Sequence, residues 1–126
     1  MSLDIDIDGT ITLYQGDTGE IVVNGLNEEK NYVVYLGFRD KNRNLLGEEF
    51  AITSNQRPSV TFFLSAGFSN NFTVPKNTNY ETYYYGIKVC ELGANTEDTI
   101  FIAGKTYGEN NRVIVYPKKV EGSING

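Results

Sequence analysis

Three aspartates alternate with apolar residues near the start of this 126-residue chain: Asp4, Asp6 and Asp8. Carboxylate oxygens are preferred calcium ligands, and with Gly9 next in line this spacing matches the first half of a calcium-binding loop. The last position, where such a loop needs a bidentate Glu, is Gln15, and no helical pattern flanks the segment. Residues 1–8 are therefore interpreted as a flexible leader or an edge strand whose outward carboxylates discourage sheet aggregation, and no metal site is predicted.

The overlapping run DIDGTI at residues 6–11 resembles the D-x-D-G-T-[LIV] signature of the haloacid-dehalogenase phosphatases. The resemblance implies that Asp6 attacks a phosphate, that Asp8 protonates the leaving group, and that Mg²⁺ shields the charge between them. That family carries its first aspartate at the carboxyl end of a central parallel strand in an α/β sheet, and this chain shows no helical pattern that would build one. A Mg²⁺-dependent phosphatase is kept as an alternative. The main prediction is a protein that is not an enzyme and has neither catalytic residues nor cofactors.

The composition argues against several classes of binding protein and enzyme. The net charge is −5, the pI is about 4.7 and the longest basic run is Lys118-Lys119, so neither nucleic acid nor a membrane is expected as a partner. The absence of histidine removes the commonest general base at neutral pH and the usual Ser-His and Cys-His dyads. The one cysteine, Cys90, cannot form an internal disulfide and is predicted to be a small buried apolar residue.

Alternation of apolar and polar residues with a period of two dominates the sequence and indicates β-strands. It predicts strands at residues 11–13, 20–23, 32–38, 47–53, 60–64, 82–91, 99–103 and 112–117. Turn residues separate these runs, so residues 1–126 are expected to form a single all-β domain with a frayed tail at 120–126. The expected fold is an antiparallel β-sandwich, immunoglobulin-like or jelly-roll-like, of about seven to nine strands. Without crossover helices no parallel sheet is expected, and the last three strands are expected to form an antiparallel meander.

Aromatic residues suggest two further features. The run Tyr83-Tyr84-Tyr85 offers apolar faces with polar tips, as a sugar-stacking platform would, but alternation on a strand places Tyr84 on the opposite face from its neighbours. We therefore interpret one face of this strand as core. Phe68 and Phe72 lie four residues apart in an otherwise irregular stretch, which predicts one helical turn packed as a lid on the sandwich.

A family resemblance is carried by segments spread over most of the chain: YQGDT at residues 14–18, EIVVNGL at 20–26, FTVPK at 72–76, YYYGIKV at 83–89 and VIVYPKK at 113–119. Their order resembles the N-terminal domain of phage baseplate upper proteins and related phage structural proteins. In that family a strand leads into a Q-G-D-[TS] turn, and a last strand precedes a linker. Gly16 in the turn permits a positive φ angle and Asp17 can bond neighbouring amides, so the turn is expected to hold a corner of the sandwich.

The resemblance implies a structural protein of a phage virion. The expected function is a non-catalytic attachment module that docks a tail or baseplate component through protein–protein contacts at sheet edges or faces. Other virion proteins, or further copies of this chain, are the expected partners, and the virion is the expected location. The alternative is a carbohydrate-binding or adhesin-type sandwich, which requires exposed tyrosines, for example Tyr14 or Tyr107. Clustering of the surface aromatics would distinguish the two hypotheses.

Overall fold

Period-two alternation in the sequence becomes strands nearly wherever it occurs. The structure, a computed structural model, describes residues 3–5, 9–93, 98–103 and 112–117. Within this part of the chain the elements are β1 (Asp4–Ile5), β2 (Ile11–Tyr14), β3 (Gly19–Val23), β4 (Tyr32–Arg39), β5 (Phe50–Thr53), β6 (Val60–Leu64), α1 (Ala66–Ser69), β7 (Glu81–Glu91), β8 (Asp98–Ala103) and β9 (Arg112–Tyr116). The predicted all-β class and the predicted number of strands are confirmed.

The strands form two sheets of very unequal size, which pack face to face as a sandwich. The large sheet runs in the order β1-β2-β9-β7-β4-β5, with β8 also paired to β7, and the small sheet contains β3 and β6. All the pairs are antiparallel except β2 with β9, where Ile11 lies beside Val113 and Tyr14 beside Tyr116. As expected, the strands do not build a parallel sheet, but this one parallel pair departs from the expected antiparallel pairing. Between β2 and β9 the chain passes through β3 to β8, and in the described residues of this path the one helix is the four-residue α1, so the parallel pair forms without a long helical crossover.

The last three strands do not form the predicted meander. β8 pairs with Ile87–Glu91 of β7, and β9 pairs with Glu81–Tyr84 of the same strand. Because β4 occupies the opposite edge of β7, β8 and β9 follow one another along a single edge and are not paired to each other. The 11 residues of β7 are long enough to accept both, with a register shift between Val89 and Cys90.

Alternation along each strand separates core from solvent. On β4 and β6 every second residue is buried, and on β7 Tyr83 and Tyr85 face the core with 5 % and 8 % exposure. The core interpretation of these two tyrosines is therefore confirmed. Cys90 is fully buried and is a free thiol, as predicted.

The predicted helical turn and lid are also present. Ser65 caps α1, because its hydroxyl accepts a hydrogen bond from the Phe68 amide at 3.1 Å. The turn carries Phe68 and Phe72 over one region of the core, where neighbouring rings lie 4.9 to 6.3 Å apart and mostly edge to face. We call this cluster the aromatic lid; its members are Phe38, Phe50, Phe62, Phe68, Phe72 and Tyr83.

Candidate functional site

The small sheet leaves backbone groups available for pairing. β3 and β6 pair over their full five residues, from Gly19 beside Leu64 to Val23 beside Val60. In the described residues no strand pairs with the other edge of β3. A strand has hydrogen-bonding groups on both edges, so the outer edge of β3 presents amides and carbonyls that a further strand could use. A sheet of two strands is at the lower end of the usual size range, and an added third strand would enlarge it.

An apolar groove lies beside this open edge, between β3 and the inner face of the large sheet. Its volume is about 470 Å³, within the usual range for binding pockets of roughly 300 to 1,000 Å³. We call it the β3 groove. The residues that line it include Ile5, Val23, Leu26, Tyr85, Ile87 and Val89. The Tyr85 hydroxyl donates to the Gly9 carbonyl at 2.6 Å, so its polar tip is satisfied and its ring adds to the apolar wall.

The outer face of the small sheet is also partly apolar. Val22 and Phe63 are 45 % and 53 % exposed and lie on neighbouring strands, two residues apart in register and on the same face. Glu20 lies opposite Phe63, and Thr61 lies opposite Val22. An edge strand that combines an open backbone with exposed apolar side chains is a site where proteins pair with other chains unless charges or bulges prevent it. Glu20 is the one charged residue in either strand.

Surface tyrosines cluster at a second place, on the outer face of the large sheet. Tyr14 and Tyr116 are register partners with ring centroids 5.6 Å apart, and Tyr80 lies 6.3 Å from Tyr116. Tyr14 is 38 % exposed and Tyr80 is 51 % exposed. We call Tyr14, Tyr80 and Tyr116 the tyrosine row. The sequence named Tyr14 as a candidate, and the other candidate, Tyr107, lies outside the described residues.

Tyr80 and Tyr116 were missed from the sequence because their proximity depends on strand pairing. Tyr116 lies beside Tyr14 through the parallel pairing of β2 with β9, which no sequence pattern predicts. Glu81 pairs with Val115, and this register places Tyr80 beside Tyr116. Alternation along β9 does put Tyr116 on the face opposite Val115, so its outward direction was available as a signal.

The aspartate segment is only partly described. Asp4 is exposed on β1, a two-residue strand at the edge of the large sheet that pairs antiparallel with β2. Asp6 and Asp8 lie outside the described residues. β1 is therefore not a central parallel strand, which is the setting of the phosphatase signature, and in the described part of the chain no three His, Cys, Asp or Glu residues are grouped as a metal site.

The turn at residues 15–18 holds a corner of the sandwich. Gly16 has a φ angle of 84°, as predicted, and the Asp17 amide donates to the Tyr14 carbonyl at 3.1 Å. The expected role of the Asp17 side chain was wrong, because the carboxylate makes no hydrogen bond within the described residues and the backbone itself closes the turn. The Gln15 amide also donates to the Tyr116 carbonyl at 2.9 Å, which ties the corner to β9 next to the tyrosine row.

Two ionisable groups, Asp40 and Lys30, have shifted pKa values. The Asn44 and Asn42 amides donate to the Asp40 carboxylate at 3.0 and 2.8 Å, and these bonds, chiefly that from Asn44, lower the pKa of Asp40. The Glu91 carboxylate lies 3.0 Å from the Lys30 ammonium, and this hydrogen bond raises the pKa of Lys30. Neither group lies among the residues of the β3 groove or the tyrosine row.

A membrane-spanning helix is not found in the residues that the structure covers, since α1 has four residues.

Comparison with known proteins supports the fold. No family model matches the sequence, and no curated protein matches it. Among solved structures, the crystal structure of the periplasmic chaperone SfaE is similar, with a TM-score of 0.57 and 9 % sequence identity. The likeness covers 93 % of this chain and 57 % of that chain, so this chain spans a little over half the length of the chaperone. At this identity the likeness shows the fold alone, which is an immunoglobulin-like β-sandwich.

Proposed function

We propose that this domain is a non-catalytic assembly module of a phage virion, and that it docks a tail or baseplate component through protein–protein contacts. In this proposal an extended segment of the partner protein adds to the small sheet along the outer edge of β3. The observation that carries the proposal is the open edge of β3 next to the β3 groove. The phage setting is supported by the resemblance of the segments at residues 14–26, 72–76, 83–89 and 113–119.

Strand addition uses the two features of this site together. The unpaired amides and carbonyls of β3 would bond the partner's backbone, which supplies affinity without regard to sequence. Every second side chain of the added strand would point into the β3 groove, at intervals of about 7 Å, and the apolar walls at Val23, Ile87 and Val89 would select for apolar residues there. The partner segment is therefore expected to alternate between apolar and polar residues over about five positions.

The virion supplies a setting in which such an edge would be covered. An isolated open edge favours aggregation, and a repeated particle would provide many identical partner segments in fixed positions. A second copy of this chain is the other candidate occupant, by antiparallel pairing of two β3 edges. These two occupants differ in oligomeric state, because self-pairing would give a dimer of the isolated domain and the proposed docking leaves it a monomer.

The test is capture of the partner from a lysate of cells that produce the phage, with the domain immobilised and the retained proteins identified by mass spectrometry. The proposal expects tail or baseplate proteins. Val23→Glu places a charge in the half-buried wall of the groove and should reduce capture by at least about tenfold, since burial of an unpaired charge is strongly unfavourable. Thr61→Glu is the control, because it adds the same charge to an exposed position on β6.

Two results would contradict the proposal. One is that no virion protein is retained by the wild-type domain. The other is that Val23→Glu and Thr61→Glu retain the same virion proteins as the wild type, which would place the contact away from β3. Circular dichroism of both variants must show intact β-structure, so that loss of capture is not loss of fold.

A further inference from the structure

The tyrosine row crosses three neighbouring strands at one end of the large sheet, on the face opposite the β3 groove. Tyr14 ends β2, Tyr116 ends β9, and Tyr80 immediately precedes β7. Neighbouring strands lie about 4.8 Å apart, so the row extends over about 10 Å of surface. Neighbouring ring centroids are 5.6 and 6.3 Å apart and the ring planes are tilted by 36° and 56°, while Tyr14 and Tyr80 are 38 % and 51 % exposed.

Hydroxyl groups border the row. Two residues along each strand from the tyrosines, on the same face, lie Thr12 on β2, Ile114 on β9 and Thr82 on β7. Within the described part of the chain, no hydrogen bond engages the side-chain hydroxyl of Thr12 or Thr82, or any of the three phenols of the row. This surface therefore combines apolar ring faces with hydroxyl groups that can each donate and accept a hydrogen bond.

The combination matches the chemistry of a pyranose sugar. Such a ring has an apolar C–H face that packs on an aromatic ring and a rim of hydroxyls that need hydrogen-bonding partners. The row and its threonine border contain no charged residue; the nearest basic side chains in register, Arg39 and Arg112, flank Tyr84 beyond the threonines. A nucleic acid would require a basic track beside the stacking rings, and the described residues of this surface do not supply one.

We infer that the tyrosine row is a second binding site, distinct from the β3 groove, and that its ligand is a neutral glycan. Tyr80 and Tyr14, the more exposed of the three, supply the stacking faces, and Thr12 and Thr82 bond the sugar rim. In a virion protein such a site would let the particle hold a carbohydrate surface while the small sheet docks to its protein partner. The inference stands on its own residues and does not require the β3 site.

The test is saturation-transfer-difference NMR of the domain with three neutral probes: a glucose oligomer, a galactose oligomer and an N-acetylglucosamine oligomer. The expected result is transfer to the ring C–H protons of at least one probe. Tyr80→Ala should weaken that probe's affinity by about tenfold, the loss expected for one aromatic stacking contact. Tyr80→Phe should retain most of the affinity, because the stacking face remains.

Phe63→Ala is the matched control, since Phe63 is 53 % exposed and Tyr80 is 51 % exposed, but Phe63 lies on the small sheet. It should leave sugar binding unchanged. The inference is overturned if none of the three probes shows transfer, or if Tyr80→Ala and Phe63→Ala weaken binding equally. It is also overturned if the sugars fail to bind and Tyr80→Ala instead loses the captured virion protein, because the row would then be a protein interface. Capture that persists while sugars fail to bind would leave the β3 proposal standing.

Discussion

The inward face of β7 runs through two regions of the core that are closed in different ways. Near its start, Tyr83 belongs to the aromatic lid, where Phe72 is fully buried and the capped turn α1 covers the rings. Further along, Ile87 and Val89 line the β3 groove, which opens beside an unpaired strand edge. β7 therefore contributes side chains both to the aromatic lid, which is closed by the chain's own residues, and to the β3 groove, which the described residues leave open.

The difference separates a region that contributes to stability from a region that is available for the proposed contact. In the aromatic lid, backbone and side-chain groups are bonded locally and large rings fill the space, so the lid contributes mainly to stability. In the β3 groove, the described residues leave apolar surface and the outer backbone hydrogen-bonding groups of β3 uncovered. Ile5, which borders this groove, is 47 % exposed. The fold thus combines a closed part of the sandwich with a part that the described residues leave open, where the proposed partner would bind.

The largest expected effect is the loss of the lid's central ring. Phe72→Ala should lower the free energy of unfolding by about 3 to 5 kcal/mol, because the site is fully buried among other rings and cannot collapse to fill the space. Val23→Ala at the open groove should cost only about 1 kcal/mol, since part of its side chain already contacts solvent. Urea unfolding of both variants measures the contrast. Equal losses would mean that the groove is as firmly closed as the lid.

A smaller loss of stability is expected from substitution of Gly47, which lies against Phe68 of the aromatic lid. Its φ angle is +66°, and an added Cβ would lie 2.8 Å from Cε1 of Phe68. Gly47→Ala should therefore cost about 2 to 3 kcal/mol, from left-handed backbone strain together with displacement of the ring.

Gly25→Ala is the control for that substitution. Gly25 has a φ angle of +84° and no atom within 4 Å of an added Cβ, so it carries the backbone strain alone, about 1 to 2 kcal/mol. Thermal unfolding should therefore rank Gly47→Ala below Gly25→Ala. The reverse order would contradict the close packing of Phe68 against Gly47.

The smallest change in stability is expected at Asp40, in a loop that belongs to neither the aromatic lid nor the β3 groove. The pKa of Asp40 is lowered from its ordinary value of 3.8 by amide hydrogen bonds. Its stabilising contribution is therefore present above that value and is lost as the pH falls through the lower pKa of the folded state. Asp40→Ala should slightly lower the urea midpoint at pH 7 and leave it unchanged at about pH 2. Glu48→Ala is the control, because it removes an exposed carboxylate without a hydrogen bond in the described residues, and it should leave the urea midpoint at pH 7 nearly unchanged.

Local patterns in the sequence were sufficient for most of the fold. Alternation located β4 and β6 to within a residue or two, and the spacing of Phe68 and Phe72 located the lid turn. The strand expected at residues 47–53 begins later, at Phe50, because the left-handed backbone at Gly47 is incompatible with an extended strand. These features depend on residues close together in the chain.

Both candidate binding surfaces depend on contacts between distant parts of the chain. The tyrosine row needs β2, β9 and the start of β7 to be neighbours, and the parallel step between β2 and β9 contradicted the expected pairing. The β3 groove needs a small sheet of two strands, which no local pattern specifies, since the alternation in Gly19–Val23 is the same in a paired and an unpaired edge. Sequence reasoning could name candidate strands but could not identify the open edge.

Hydrogen exchange of the β3 amides, measured by NMR for the free domain and for the domain saturated with its captured virion partner, tests the central claim most directly. In the free domain, the β3 amides that do not point toward β6 should exchange much faster than those of β4, which is paired on both sides. On binding, the same β3 amides should become strongly protected while the tyrosine row is unaffected. Protection of these amides in the free domain, or no change on binding, would contradict strand addition at β3.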